Sequence, residues 1–468
     1  MRSRAAVVAI GALAVALAAS PAQSEPLEIY PPPPGSDYYT SFDDTFTVRV
    51  RQPGGVWRDL YEYRVMVDLD HPQAASMVTF GTSGPVEVAI QKNNGAVREV
   101  AVRPASSGIA ARLVGAIAYL TLDGPANLSV EFDDDRLHNL HVFANPLYPA
   151  AQPAKGRKLV AFGPGIHVPP QGQNTFRFES DTDVRLAGGA ILKGQVDIDK
   201  THGVRIIGPG ILRGGKEGVT VLHSEGVEID GPIIVNPGHY TLMCGQTRGL
   251  TVRNLRSFSA GGWTDGIDLM ACSDVHIDGA FLRTSDDAVA IYADRWDYHG
   301  DARNYLVENS TLWADVAHPV NIGLHGSKDE PRTIENLVFR NIDILAHDED
   351  DRDYQGALAI TDGDNNLVRN VVFDDIRVDR IEEGMLFNFR VVFNQKYSLA
   401  PGRGIENVLL RNVRLRHGRA NAPVIAGFAD DRTVSGVQLL DVSGPEGAIA
   451  TRDVEIGGYV EGVTSSPQ

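Results

Sequence analysis

Three short stretches carry side chains whose types and spacing suit acid–base chemistry. They are W-T-D-G-I-D at 263–268, S-D-D at 285–287 and N-I-G-L-H-G at 321–326. Asp265 stands two residues before the apolar alternation Ile267/Leu269, and Asp287 two residues before Val289/Ile291. A third alternation, Val320/Ile322, precedes His325. If these alternations are parallel strands stacked roughly 4.8 Å apart, Asp265 lies directly below Asp287 with Asp286 beside it. Like charges so close cannot all ionise, so one carboxyl is kept protonated as an acid while another serves as a base. That pairing is what cleavage of a glycosidic bond requires. His325, between Gly323 and Gly326, is the candidate to orient an aspartate or bind a sugar hydroxyl, since glycines let backbone and ligand approach closely. Trp263, Tyr292, Trp296 and Tyr298 are the candidates for stacking on sugar rings. Trp296 and Tyr298 are favoured, because they fall in the polar loop W-D-Y-H-G-D at 296–301. Asp268, Asp274, Asp278 and the run H-D-E-D-D-R-D at 347–353 read as solvated turn residues.

An imperfect repeat supplies the frame for these residues. From about residue 156 a short strand core recurs, opening with Gly, Asp or Asn and often closing with Gly or Asn. Examples are G-V-R-I-I-G at 203–208, G-V-E-I-D-G at 226–231, G-L-T-V-R-N at 249–254, D-V-H-I-D-G at 274–279, N-L-V-F-R-N at 336–341 and N-V-L-L-R-N at 407–412. Successive starts are 23 to 37 residues apart. No single coil of this kind buries its own apolar face; stacking makes one continuous core. The expected fold is all-β, with a right-handed parallel β-helix over 156–468. The corner asparagines are read as amide ladders and left-handed turns, not as chemistry.

Ahead of the repeat, residues 25–143 alternate in short runs such as F-T-V-R-V at 46–50 and L-S-V-E-F at 128–132, broken by Asn94-Gly95 and Asp123-Gly124. This is the pattern of a β-sandwich, joined through a linker at 144–155. Residues 1–24 read as a secretory signal: Arg2 and Arg4, an uncharged apolar run from Ala5 to Ala19, then small residues at Ala22 and Ser24. The run is shorter than the roughly 20 residues a bilayer needs, so a secreted chain without a membrane span is expected, acting as a monomer. The net charge of −17 across 468 residues argues against a nucleic-acid partner. The two cysteines, Cys244 and Cys272, are about one repeat apart. They read equally as a disulfide between neighbouring coils or as two buried thiols.

T-D-G at 264–266, S-D-D at 285–287 and G-L-H-G at 323–326 resemble the N-T-D, D-D and G-H-G motifs of glycoside hydrolase family 28, the polygalacturonases. They are similar also to family 49, the dextranase and isopullulanase group, in which a β-sandwich precedes the β-helix. Both families use inverting mechanisms. The resemblance implies that Asp286 is the general acid, that Asp265 and Asp287 activate water, and that His325 supports them. Inversion leaves acid and base roughly 6.5–9.5 Å apart, with room for a water. Trp263 stands where the family has Asn. The R-I-K that holds a substrate carboxylate in polygalacturonases corresponds here to G-A-L-A-I-T-D at 356–362, without a basic residue. The expectation is therefore hydrolysis of a neutral, dextran-like glucan. The alternatives are a polygalacturonase-like pectin hydrolase, a Ca²⁺-dependent eliminase, for which the cluster lacks a basic residue, and a non-catalytic carbohydrate-binding β-helix. No cofactor and no metal site is expected.

Overall fold

The computed structural model describes residues 26–465; the segment read as a signal peptide lies outside them. Alternation along each repeat core sends successive side chains to opposite faces. In G-V-R-I-I-G, Val204 and Ile206 point into the core while Arg205 between them stays partly exposed. The cores stack in parallel: Arg205–Ile207 on Glu225–Asp230, then Arg248–Arg253, Ser273–Asp278 and Ala302–Glu308. The longer strands Arg332–Ala346, Asn366–Ile381, Gly404–Gly418 and Val434–Gly444 continue the stack. Each coil adds strands to two further faces, so the chain winds into a parallel β-helix around one column of aliphatic side chains.

The corner asparagines do structural work. Asn304, Asn336, Asn370 and Asn407 all adopt positive φ, between 57° and 63°. Their side chains form a ladder: Asn336, Asn370 and Asn407 each donate an amide N–H to the side-chain oxygen of the Asn one coil below at 3.1–3.2 Å, and Asn304 donates to Asp274 at 2.9 Å. Asn tolerates this left-handed conformation better than most residues.

The N-terminal part is a β-sandwich. One sheet contains Gln73–Thr82, Ala126–Phe132 and Asp135–Asn145, and the other contains Phe46–Arg51, Val86–Lys92 and Ile117–Leu122. Val48, Val88, Leu120, Val130 and Val142 fill the space between them. The last sandwich strand takes in Ala144 and Asn145, the first two residues of the stretch expected to be linker. The sandwich rests on one face of the β-helix: Met77 and Phe143 pack against Ile211, Phe258, Phe281 and Trp313. Two fully buried arginines of the β-helix reach across, Arg256 to Asn145 and Arg283 to Asn139. The Cys244 and Cys272 sulfurs are bonded, joining adjacent coils with their Cα atoms 6.6 Å apart.

Candidate active site

The face formed by Leu242–Gly245, Ile267–Met270, Val289–Tyr292, Val320–Gly323 and Leu358–Asp362 begins, in each coil, at a sharp turn. Backbone bonds fix the register across those turns. Gly266 N–H donates to the Asp287 carbonyl at 2.8 Å, and Ala288 N–H to the His318 carbonyl at 2.7 Å. Asp265, Asp287 and His318 therefore form a vertical column, each two residues ahead of its strand. Asp265, Asp286 and Asp287 each offer a carboxylate oxygen, and these atoms lie within 4.8 Å of one another. Inversion is expected to place whole carboxyl groups roughly 6.5–9.5 Å apart and retention about 5–5.5 Å, and oxygens this near one another lean toward the shorter separation.

The surroundings of the three differ sharply. Asp287 is buried and accepts three hydrogen bonds: from His318 Nδ1 at 2.7 Å, from His318 N–H at 3.1 Å and from the Asn321 amide at 2.8 Å. Burial alone would raise its pKa, but the His318 charge and these donors outweigh it and hold it below the ordinary value. Burial likewise disfavours the charged His318 ring, yet Asp287 holds its pKa up at about 9. Asp286 accepts only backbone N–H groups, from Trp263 at 3.2 Å and Asp287 at 3.0 Å. Burial, then the Asp287 charge, pushes its pKa up to about 7. Asp265 is raised well above the usual range by burial and by the charge of Asp268.

Four residues near the carboxylates were not singled out from sequence. His318, not His325, touches Asp287, and it stands two residues before its alternation just as Asp265 and Asp287 do. That periodicity was a readable signal. Asn321 and Asp268 occupy the outward positions of their strands, in the same row as Ala290. Asp268 is completely buried, contrary to the expected solvated turn. Arg295, from the following loop, donates to the Tyr240 hydroxyl at 3.0 Å.

His325 instead packs edge-on against Tyr292 with ring centroids 5.0 Å apart, and burial followed by the Arg295 charge lowers its pKa to about 3. It is half-buried and follows the strand Val320–Gly323, at the opposite end of that strand from the aspartate turn. Tyr292 is 3% exposed, so it offers no face to a sugar. Trp263 and Trp296 are 59% and 53% exposed and do offer one. Trp296 also stacks on Tyr240 at 5.9 Å. Tyr298 is half-buried beside His223 and against Gly245. Among the described residues, two groups have atoms close enough to share a cation: the aspartate trio, and His276, Asp278 and Glu308 on the outer face. The trio's charge is answered internally by His318 and by retained protons. Glu308 already bonds His276 and Arg340.

The profile of glycosyl hydrolases family 28 matches residues 216–449, half of the chain, and spans the whole site. The chain belongs to this family. It is thus a glycoside hydrolase of the polysaccharide-cleaving kind. Its fold is similar to that of Dex49A from Penicillium minioluteum, with a TM-score of 0.53 and 14% identity over 91% of this chain and 94% of that one. A family 28 exopolygalacturonase from Yersinia enterocolitica gives 0.49 and 11% identity over 82% and 97%. No curated protein matches the chain. In the next coil Ala359 and Thr361 stand in register with Asn321 and Gly323, and neither is basic.

Proposed function

We propose that this family 28 hydrolase cleaves a neutral, dextran-like polysaccharide with inversion, using Asp286 as general acid and the Asp265–Asp287 pair to activate water. The observation that carries the reading is the contrast between neighbours: Asp286 keeps a proton up to about pH 7, while Asp287 is ionised beside His318. Asp286 gives its proton to the leaving oxygen as the glycosidic bond breaks. A water held by the pair loses a proton to it and bonds to the anomeric carbon. The short carboxylate spacing supports a second reading, a retaining route through a glycosyl-enzyme. Against it, both Asp287 oxygens are already engaged by donors, and Asp265 has burial and Asp268 opposing its ionisation. Neither is a free nucleophile. A neutral substrate is supported by Ala359 and Thr361, by the acidic net charge, and by the engagement of Arg295 with the Tyr240 hydroxyl. The residues before 25 support export. Proton NMR of the first product released from dextran tests the stereochemistry. An inverted anomer is expected; a retained one transfers the case to the covalent route.

A further inference from the structure

Asp268 is fully buried in the outward row of its face, level with Ala290 and Asn321, and neither carboxylate oxygen meets a donor. Its strand neighbours in register, Met243 below and Ala290 above, have no polar side-chain atom. A buried carboxylate with no donor is costly, and this one lies within hydrogen-bonding reach of the Asp265 side chain. As two carboxylates the pair has no hydrogen to share; one proton between them makes the contact a hydrogen bond. The other groups around the pair are Asp286, Asp287, Tyr240, Tyr292 and Arg295. Arg295 is the cation among them. Its guanidinium sits 4.9 Å from the Tyr292 ring centre, bonds Tyr240, and leaves its buried Nε without a partner.

We infer that Asp268 is a positioning residue: it shares one proton with Asp265, and Arg295 balances the charge that remains. Building on the proposed reaction, this fixes the Asp265 carboxyl toward the water and leaves Asp287 as the fully ionised member of the pair. The water's proton then passes to Asp287 while the Asp286 proton leaves with the alcohol, so the two transfers balance. Asp268 itself touches no reacting atom.

The test is a carbon-13 titration of protein labelled at its aspartate carboxyls, with the Asp265 signal assigned by its loss in Asp265→Asn. In Asp268→Asn the Asp265 signal is expected to titrate about one unit lower, because a like charge is gone. In Arg295→Gln it should titrate higher, because the balancing cation is gone, with Arg295→Lys restoring it. On dextran, Asp268→Asn should lower kcat about 10- to 100-fold with KM unchanged. An Asp265 titration that is the same in wild type and both variants overturns the inference, as does a shift of the same sign in both. If Asp268→Asn does not fold, Arg295→Gln decides alone. Wild type that leaves dextran uncut sinks the substrate reading only; the carboxyl titration still decides this one.

Discussion

Asp286 and Asp287 are chain neighbours with identical side chains, and their partners set them apart. Asp287 has an imidazolium and an amide on its oxygens, whereas Asp286 has only two backbone N–H groups. The acid must hold its proton to work, so activity is expected to fall as pH rises through about 7, the pKa of Asp286. His318 shapes that limb, since its positive charge lowers the pKa of both aspartates. Replacing it by Gln removes a charge that favours the ionised forms, so both pKa values rise. His318→Gln should move the alkaline limb of kcat/KM to higher pH and lower kcat about 100-fold. A pH–rate profile checks this, and an unmoved limb would contradict the role given to His318. The aspartates were legible because each precedes an apolar pair by two residues. His318 obeys the same rule, whereas the flanking glycines that single out His325 report only local backbone freedom. Asp268 was misread because turn composition says nothing about which face of the following strand a residue takes.

At the scale of elements, the site exists because consecutive coils keep one register. The 23- to 25-residue spacing of the early repeats made that stacking readable, and the cores read from sequence do form one parallel ladder. Where loops lengthen, position along the sequence no longer tells which turn faces the cleft. The Arg295–Trp296 loop illustrates this, since its Arg returns to the aspartates only through the fold. The Cys244–Cys272 disulfide ties the coil that carries Asp265 to the coil below it, at the end of the strand away from the aspartates, across a sequence separation of 28 residues. Loop-closure entropy of that size is worth about 3.6 kcal/mol. The variant with both cysteines changed to Ala should therefore unfold at lower denaturant concentration by that amount. Equal unfolding midpoints would show that the coils need no tie.

Across the whole molecule, the sandwich and the β-helix are joined by a buried polar device as well as by apolar packing. Arg283 is fully buried, pairs with both Asp315 oxygens at 2.8 and 3.0 Å, lies 3.8 Å from the Trp313 ring centre, and bonds Asn139 of the sandwich. Removing one member leaves the other charge buried and unpaired. Asp315→Ala is expected to cost about 3–5 kcal/mol, measured by chemical denaturation, whereas a loss under 1 kcal/mol would mean water reaches Arg283. The two-part architecture was legible from the change in strand spacing near residue 156. Which face the sandwich covers was not, because it depends on the three-dimensional row Ile211, Phe258, Phe281 and Trp313.

In the proposed reaction Asp286 delivers the proton for hydrolysis of a neutral polysaccharide. Reducing-sugar release from dextran and from polygalacturonate, with wild type and Asp286→Asn, tests it most directly. Wild type should release sugar from dextran and none from polygalacturonate, and the variant should lose about 1,000-fold or more with polymer binding retained. Cleavage of polygalacturonate, or an Asp286→Asn enzyme as active as wild type, would contradict it.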